Sequence, residues 1–422
     1  MTATSLPSSS LYTGLALFFL GALNLVLPSG YSVGASLLLL AGLYRLGSFS
    51  SLSARLSAQD IWLLAALFVF GLNGVFDALY HQASGSSFDK ALRFICAIPV
   101  FFALRTYPPR LEWLWAGLII GSLATACLAS WQFWVLGWDR ALGHTQAIQF
   151  GNLSMLTGFF CLAGLGWAAQ KTHPTARRWW FMLLLLAAVL GVFSSLLSGS
   201  RGGWISVPFV VLILAKAYHS FFPWRLKIGI LIGAVIAVTA VYHTPTLQVQ
   251  QRVQAAFHDI ELYQQGNSDT SLGARFEMWK AALLLAKERP LLGWGKDQMQ
   301  GAMQDLAEQG QANPVIGAFN HAHNEVLDIL AKRGLVGLLA LAFLYVVPIR
   351  LFAKYLRHPN LATRSLATAG MILPVAYIDF GLSQAFLSHN NGVMTYAFWL
   401  VVFWACMRNT TCAHTAPVAT AH

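Results

Sequence analysis

The chain has 422 residues, of which 57% are hydrophobic and only 10% charged, with a mean hydropathy of +0.58. Soluble proteins carry about a quarter of their residues as Asp, Glu, Lys and Arg, so a soluble enzyme, a disordered chain and a fibrous protein are all excluded. A formal charge of +11 would suggest nucleic acid in a soluble protein, but here it reads as basic residues gathered in cytoplasmic loops, and no nucleic-acid partner is expected.

Apolar segments recur along almost the whole length, at about 11–28, 31–47, 60–80, 91–104, 112–136, 150–169, 179–197, 203–221, 225–243, 326–349, 364–382 and 391–408. Solid blocks of roughly 20 apolar residues predict membrane-spanning helices, whereas a barrel would show short alternating strands. The fold class is therefore an all-α polytopic membrane protein with about twelve transmembrane helices. The fourth segment is short for a span and is expected to tilt or to begin nearer Phe88. Met1–Ser10 has no Lys or Arg, unlike the basic start of a cleaved signal peptide.

The loops alternate in charge. One set carries Arg45, Arg55, Arg105, Arg110, Lys171, Arg177, Arg178, Lys216, Arg225, Lys227, Arg350, Lys354, Arg357 and Arg364. The short loops of the other set carry only Lys90, Arg93, Arg140 and Arg201. The positive-inside rule makes the first set cytoplasmic, together with both termini. Residues 244–325, on the opposite side between the ninth and tenth helices, form the long hydrophilic stretch and hold nine of the 16 acidic residues. The expected division is helices one to nine in 1–243, a loop domain with short helices in 244–325, helices ten to twelve in 326–408, and a cytoplasmic tail in 409–422.

Within the loop, Ala274–Lys287 has helical periodicity with Phe276, Trp279, Leu283 and Leu284 on one apolar face. Glu288-Arg289-Pro290 stops that helix. Gly293-Trp294-Gly295 reads as a turn, and a new helix starts near Asn324. The five cysteines lie outside the loop, three in apolar runs and two near the C-terminal end. Neither a disulfide nor a cysteine metal site is expected.

Three features carry chemistry. Gly199-Ser200-Arg201-Gly202-Gly203 places an arginine beside the N-terminus of a helix, a combination suited to phosphate oxygens. The alternative is a snorkelling interfacial arginine. Arg275, with Trp279 four residues on, is a second cation; the alternative is a solvated arginine paired with Glu277 or Asp269. Asn320-His321-Ala322-His323-Asn324-Glu325 ends in a helix N-cap, Asn324, with Glu325 and Asp328 in the first turn. The helix dipole disfavours imidazolium at His323, leaving a neutral, base-competent ring. The alternative is a capping histidine at the interface. His-x-His without a third ligand at usual spacing does not predict a metal.

Asn73, Asp77, Asp379, Gln384, His389 and Asn390 are expected to face the bundle interior or its mouth. Lys90 and Arg93 add positive potential on the outer side. No Walker motif, dinucleotide loop or paired outer carboxylates are present, so no cofactor is expected.

Together these residues resemble the O-antigen ligase family and its polymerase relatives. The ligases carry His, then Asn, Ser or Gln, nine residues, Gly, two residues, Gly. Here the pattern reads His323-Asn324, nine residues to Arg333, then Gly334-Leu335-Val336-Gly337. Ser200-Arg201-Gly202, Arg275 with Trp279, Gly293-Trp294-Gly295, and Arg140-Ala141-Leu142-Gly143 leading to Gly151-Asn152 also match. His321 is an extra histidine that the family pattern lacks.

The resemblance implies a GT-C-type glycosyltransferase of a Gram-negative inner membrane, with its active site on the periplasmic face. It would move a polysaccharide from undecaprenyl diphosphate to lipid A–core, using no metal. His323 would act as base, and Arg201 and Arg275 would hold the diphosphate. Lys90, Arg93, Lys296, Ser200, Asn324, His321 and Trp279 would help. An O-antigen polymerase or a protein O-oligosaccharyltransferase would share the lipid donor. A secondary transporter would instead show paired halves with broken helices near the midplane, a symmetry absent from this chain.

Overall fold

The computed structural model describes residues 8–46, 56–200, 202–219, 239, 242–244 and 249–415. Regular elements among them are helical. They are α1 (Ser8–Ala22), α2 (Tyr31–Leu46), α3 (Ala58–Tyr80), α4 (Ser86–Thr106), α5 (Leu111–Ser130), α6 (Ala147–Ala169), α7 (Pro174–Ser198), α8 (Ser206–Tyr218), α9 (Val249–Gln264), α10 (Ser271–Glu288), α11 (Met299–Glu308), α12 (Glu325–Ala353), α13 (Leu361–Ser383) and α14 (Asn390–Thr415). They coincide with all the apolar segments except the ninth, 225–243, which lies almost wholly outside the described residues, as does Arg201.

By length and composition, six helices among the described residues can cross a membrane: α3, α5 with its π-helical extension to Val135, α6, α7, α12 and α13. Helices α1 and α8 are apolar but shorter. The chain is thus a multi-pass helical protein, and the described residues supply six such spans against the twelve expected. The short fourth segment extends at both ends into α4, which begins at Ser86 and continues past Pro99.

Helix α14 is apolar around its whole circumference, which suits only a helix enclosed by others. Tyr396, Trp399 and Trp404 are accordingly buried, and α14 packs on α4 and α13. Helix α6 lies against α7 and α13, and α3 against α4 and α12. At one end of α3, Ser57 and Asp60 form a reciprocal capping box. Asp60 also accepts from the indole N–H of Trp404 at 2.8 Å, tying α3 to α14.

At the opposite ends of these helices, the turns 81–85 and 384–389 meet the 265–325 segment. Ser84 N–H and Ser87 Oγ donate to Asp297 at 2.8 and 3.3 Å. The N–H of Leu387 donates to the buried Glu325 carboxylate at 2.7 Å, holding the 384–389 turn to the start of α12. The segment has its own small core, with Met278, Ala281, Ala282 and Leu285 of α10 against Met299, Met303, Leu306 and Ile316.

That core bears out part of the expected apolar face of α10, with Trp279 and Leu284 packed against it, and corrects the rest. Leu283 is exposed and Phe276 only half-buried, whereas Met278, Ala281, Ala282 and Leu285 are buried. The reason is close packing: α10 lies against α12 and α11, and alanines permit that approach where larger side chains do not.

Candidate active site

The site is built on a break in α12. Gly334 has φ 61° and ψ −158°, a conformation open essentially to glycine alone. The break leaves carbonyls before it and N–H groups after it without helical partners. The Pro290–Gly295 segment supplies them. Trp294 and Gly295 N–H donate to the carbonyls of Ala331 and Lys332 at 3.0 and 2.8 Å, and Leu335 and Val336 N–H donate to the carbonyls of Pro290 and Leu291 at 2.8 and 3.3 Å. A Cβ on Gly334 would lie 2.3 Å from the Leu291 carbonyl, and one on Gly293 2.4 Å from that of Lys332. Two sequence motifs that looked separate, Gly-Trp-Gly and the Gly-x-x-Gly after His323, are therefore two halves of one joint. Trp294 completes it, donating its indole N–H to the Leu285 carbonyl at 3.1 Å with the Arg289 guanidinium over its ring.

The joint sets the start of α12 at the mouth of the bundle. Asn324 caps it, its side chain accepting from Val326 and Leu327 N–H. His323, just before the cap, has φ 48°, a left-handed conformation uncommon for histidine. Two contacts hold this turn. Asp328 accepts from the Ala322 N–H at 3.0 Å while both its oxygens take the Lys332 ammonium at 2.8 Å. His321 Nδ1 accepts from the His323 N–H at 3.3 Å, and the two rings meet edge to face at 4.1 Å.

The two histidines therefore differ. His321 has one nitrogen committed to the backbone, whereas Nδ1 of His323 is buried with no hydrogen-bond partner among the described residues. Burial foremost, then the neighbouring His321 and Arg275, hold the His323 pKa down at about 4. Burial, with Lys332 and Arg275, also lowers His321, opposed by Asp328. His389, which contacts the Gln384 amide at 3.2 Å, is likewise held at about 4 by burial and then His321 and Lys90. All three imidazoles are thus neutral at pH 7.

Arg275, on α10, has no ion-pair partner among the described residues; burial lowers its pKa, and a guanidinium keeps its charge regardless. Glu277, one proposed partner, is occupied by the Tyr263 hydroxyl and the Asn313 N–H. Arg275 and His323, distant in sequence, are close enough for the cation to disfavour imidazolium. Trp279 lies one turn beyond Arg275, with its indole N–H buried and without a partner among the described residues.

A cavity of about 610 Å³ opens beside His321, lined by Lys90, Lys296, Lys332, Arg333 and His389 among others. Lys332 is matched by Asp328, and Arg333 by Asp77 at 3.4 Å. Lys90 and Lys296 have no ion-pair partner among the described residues, and Lys296 donates to Ser87 Oγ at 3.3 Å. Arg93, by contrast, is committed to Asp89 on its own helix at 2.7 Å.

Ser200 is buried, and its hydroxyl donates to the Asn152 side chain at 3.0 Å. A Cβ on Gly202 would overlap Ser383, so Gly202 sits tightly against the end of α13. Arg140 donates to the Ser198 carbonyl at 2.8 Å, docking its loop on the end of α7.

Sequence reasoning missed Lys332, Arg333 and His81. The signal for the first was its i,i+4 spacing from Asp328. His81, which contacts Asp77 at 3.2 Å, had the same i,i+4 signal, whereas its contact with the Gly293 carbonyl at 3.2 Å had no local one. No group of three or more His, Cys, Asp or Glu among the described residues is arranged to hold a metal ion.

The family model described as O-antigen ligase matches residues 186–342, the stretch that contains Arg201, Arg275, His323 and the glycine joint. A Haemophilus influenzae protein described as uncharacterized is 30% identical over 392 residues, covering 92% of this chain and 96% of that one. The chain belongs to the O-antigen ligase family. An O-antigen ligase of Escherichia coli is 26% identical over 222 residues, 52% of this chain and 48% of that protein. Membership makes this a membrane enzyme of the O-antigen ligase or polymerase type.

Proposed function

We propose that the protein transfers a polysaccharide from undecaprenyl diphosphate to a sugar hydroxyl of lipid A–core. It would do so as a GT-C-type enzyme of the inner membrane, with cytoplasmic termini and its site on the periplasmic face. The observation that carries the chemistry is the half-buried, neutral His323 imidazole beside the Arg275 guanidinium, which has no ion-pair partner among the described residues.

A sugar diphosphate already contains a good leaving group. The reaction needs a base for the acceptor and fixed cations for the charge that grows on the diphosphate. In the proposed step the acceptor oxygen forms a bond to the anomeric carbon and its proton passes to His323. The bond from that carbon to the diphosphate oxygen breaks, and the electron pair leaves with undecaprenyl diphosphate. One displacement without a carboxylate nucleophile gives inversion.

Arg275 would bind the diphosphate. Arg201 would join it: its neighbour Ser200 is fixed on Asn152, and Gly202 lies against Ser383, next to Gln384, which reaches His323. Lys90 and Lys296 would draw anionic substrate into the cavity. The 244–325 segment would cover the head group.

The test is transfer from lipid-linked polysaccharide to lipid A–core by purified protein in membranes. His323→Ala is expected to lose on the order of 10²–10⁴ in rate, the usual contribution of a general base. Arg275→Lys is expected to raise the donor KM, because lysine cannot make the bidentate phosphate contact. Near-full activity in His323→Ala refutes the base assignment. Preference for a repeat-unit acceptor over lipid A–core points to a polymerase instead.

A further inference from the structure

A second cavity, of about 380 Å³, adjoins the first and shares Lys90, Ser388 and His389 with it. Its chemistry differs. Apart from these shared groups it is walled by side-chain amides, hydroxyls, Pro28, the His144 imidazole and the Tyr31 side chain, with no carboxylate. Four amides face it: Gln146 and Gln149 at the start of α6, Asn390 and Asn391 at the start of α14.

Two of these amides are built in an unusual state. Gln149 and Asn391 are only 2% and 4% exposed, yet the Gln149 Nε2 and Asn391 Nδ2 amino groups have no hydrogen-bond partner among the described residues. Asn391 uses its oxygen to accept from the Gly392 N–H at 2.8 Å, which aligns the amide and leaves only donors for another group. Buried donors without acceptors are costly, on the order of 1–3 kcal/mol each. Two of them among the residues that line one cavity point to an acceptor-bearing occupant.

We propose that this cavity is a saccharide subsite, taking a neutral pyranose ring whose hydroxyl or acetamido oxygens accept from Gln149 and Asn391. This rests on the transferase reading above and deepens it. The volume lies within the range of about 300–1,000 Å³ common for small-ligand sites. Neutral amides select hydroxyls over phosphate, for which clustered cations are the usual answer. Tyr31 supplies the aromatic surface that sugar rings use for apolar contact. The anionic group would then sit in the larger cavity, among Lys90 and Lys296, and the ring next to it.

The ring can belong to the donor or to the acceptor, and the test separates them. Parent protein in lipid nanodiscs is compared with Gln149→Met, which keeps the shape of the side chain, and Asn391→Asp, which keeps the acceptor for Gly392 and removes the donor. Affinities are measured for undecaprenyl diphosphate, for undecaprenyl diphosphate bearing one N-acetylhexosamine, and for a delipidated core oligosaccharide.

Both variants are expected to weaken one of the sugar-bearing probes by about tenfold or more, with sugar-free undecaprenyl diphosphate unchanged. Loss on the N-acetylhexosamine probe assigns the subsite to the donor; loss on the oligosaccharide assigns it to the acceptor. Sugar-probe affinities within twofold of the parent overturn the subsite, as does an equal loss on the sugar-free lipid. Failure of the parent itself to bind undecaprenyl diphosphate overturns the transferase reading instead, so the two failures are distinct. Gln149→Met is expected to fold normally, because replacing an unpaired buried amide by an apolar group of like shape is neutral or stabilising.

Discussion

Replacing Gly334 by alanine tests whether the joint between the outer segment and α12 positions the site. The perturbation acts twice. With φ 61° and ψ −158°, residue 334 lies where a side chain costs about 1–3 kcal/mol in backbone strain alone. The new Cβ would also lie 2.3 Å from the carbon and oxygen of Leu291 and 2.6 Å from the nitrogen of Leu292, all backbone atoms that cannot rotate away. The 290–295 segment must withdraw, and four hydrogen bonds cross that boundary. At about 0.5–1.5 kcal/mol each they contribute about 2–6 kcal/mol, so the whole effect reaches about 3–9 kcal/mol if the joint opens fully. The assay is thermal unfolding of the solubilised protein, with amide exchange of 290–295 followed alongside. Gly301→Ala is the control: it lies in α11, and its Cβ would meet nothing within 4 Å. It is expected to hold or gain stability, since alanine is the better helix former by up to about 1 kcal/mol. A Gly334→Ala protein that melts with the parent, exchanges no faster at 290–295 and transfers sugar at full rate refutes the joint.

Four further outcomes are expected. His323 acts as a base when neutral, and its pKa is held near 4, so kcat/KM is expected to stay flat from pH 7 to about 5 and to fall below that, with a midpoint near 4; a midpoint near 6.5 removes the buried-imidazole argument. The same histidines shape acid stability. His323 and His389 remain neutral in the fold down to about 4, whereas unfolded imidazoles protonate near 6.5, so the unfolded chain binds more protons in that window. Stability is therefore expected to decline as pH drops from about 6.5 to about 4, as read by denaturation midpoints across that range, less steeply in His389→Gln. Asp328→Asn strands the buried Lys332 ammonium and is expected to cost about 3–5 kcal/mol, while Asp328→Asn combined with Lys332→Met recovers most of the melting temperature. If the double variant is as unstable as the single one, the ion pair is not the cause. Finally, guanidinium and ammonium groups supply the positive charge in this site, so transfer is expected to persist in excess EDTA; abolition by chelator, restored by a divalent cation, overturns that part of the mechanism.

Much of the site was legible because its signals are local. An N-cap needs only Asn324 and the residues that follow it, so the start of α12, with His323 just before it, could be read directly. The Glu-Arg-Pro stop after α10 is equally local. The inner face of α10 was legible only in part. Helical periodicity placed Trp279 and Leu284 against the core but not Ala281 and Ala282, whose small side chains are buried within it. Nor could spacing alone remove the proposed Arg275–Glu277 pair, since Glu277 is claimed by Tyr263 and Asn313 from other segments.

Composition and apolar periodicity by themselves determined a multi-pass helical chain with one long polar segment, because lipid permits no other way to satisfy the backbone of such apolar runs. Tertiary structure alone decided that the Gly-Trp-Gly turn closes the gap at Gly334, that Arg275 stands beside His323 with no ion-pair partner among the described residues, and that Gln149 and Asn391 line one polar cavity. These are encounters between residues remote along the chain. They depend on which helix ends share one mouth of the bundle, and no local pattern of residues encodes that.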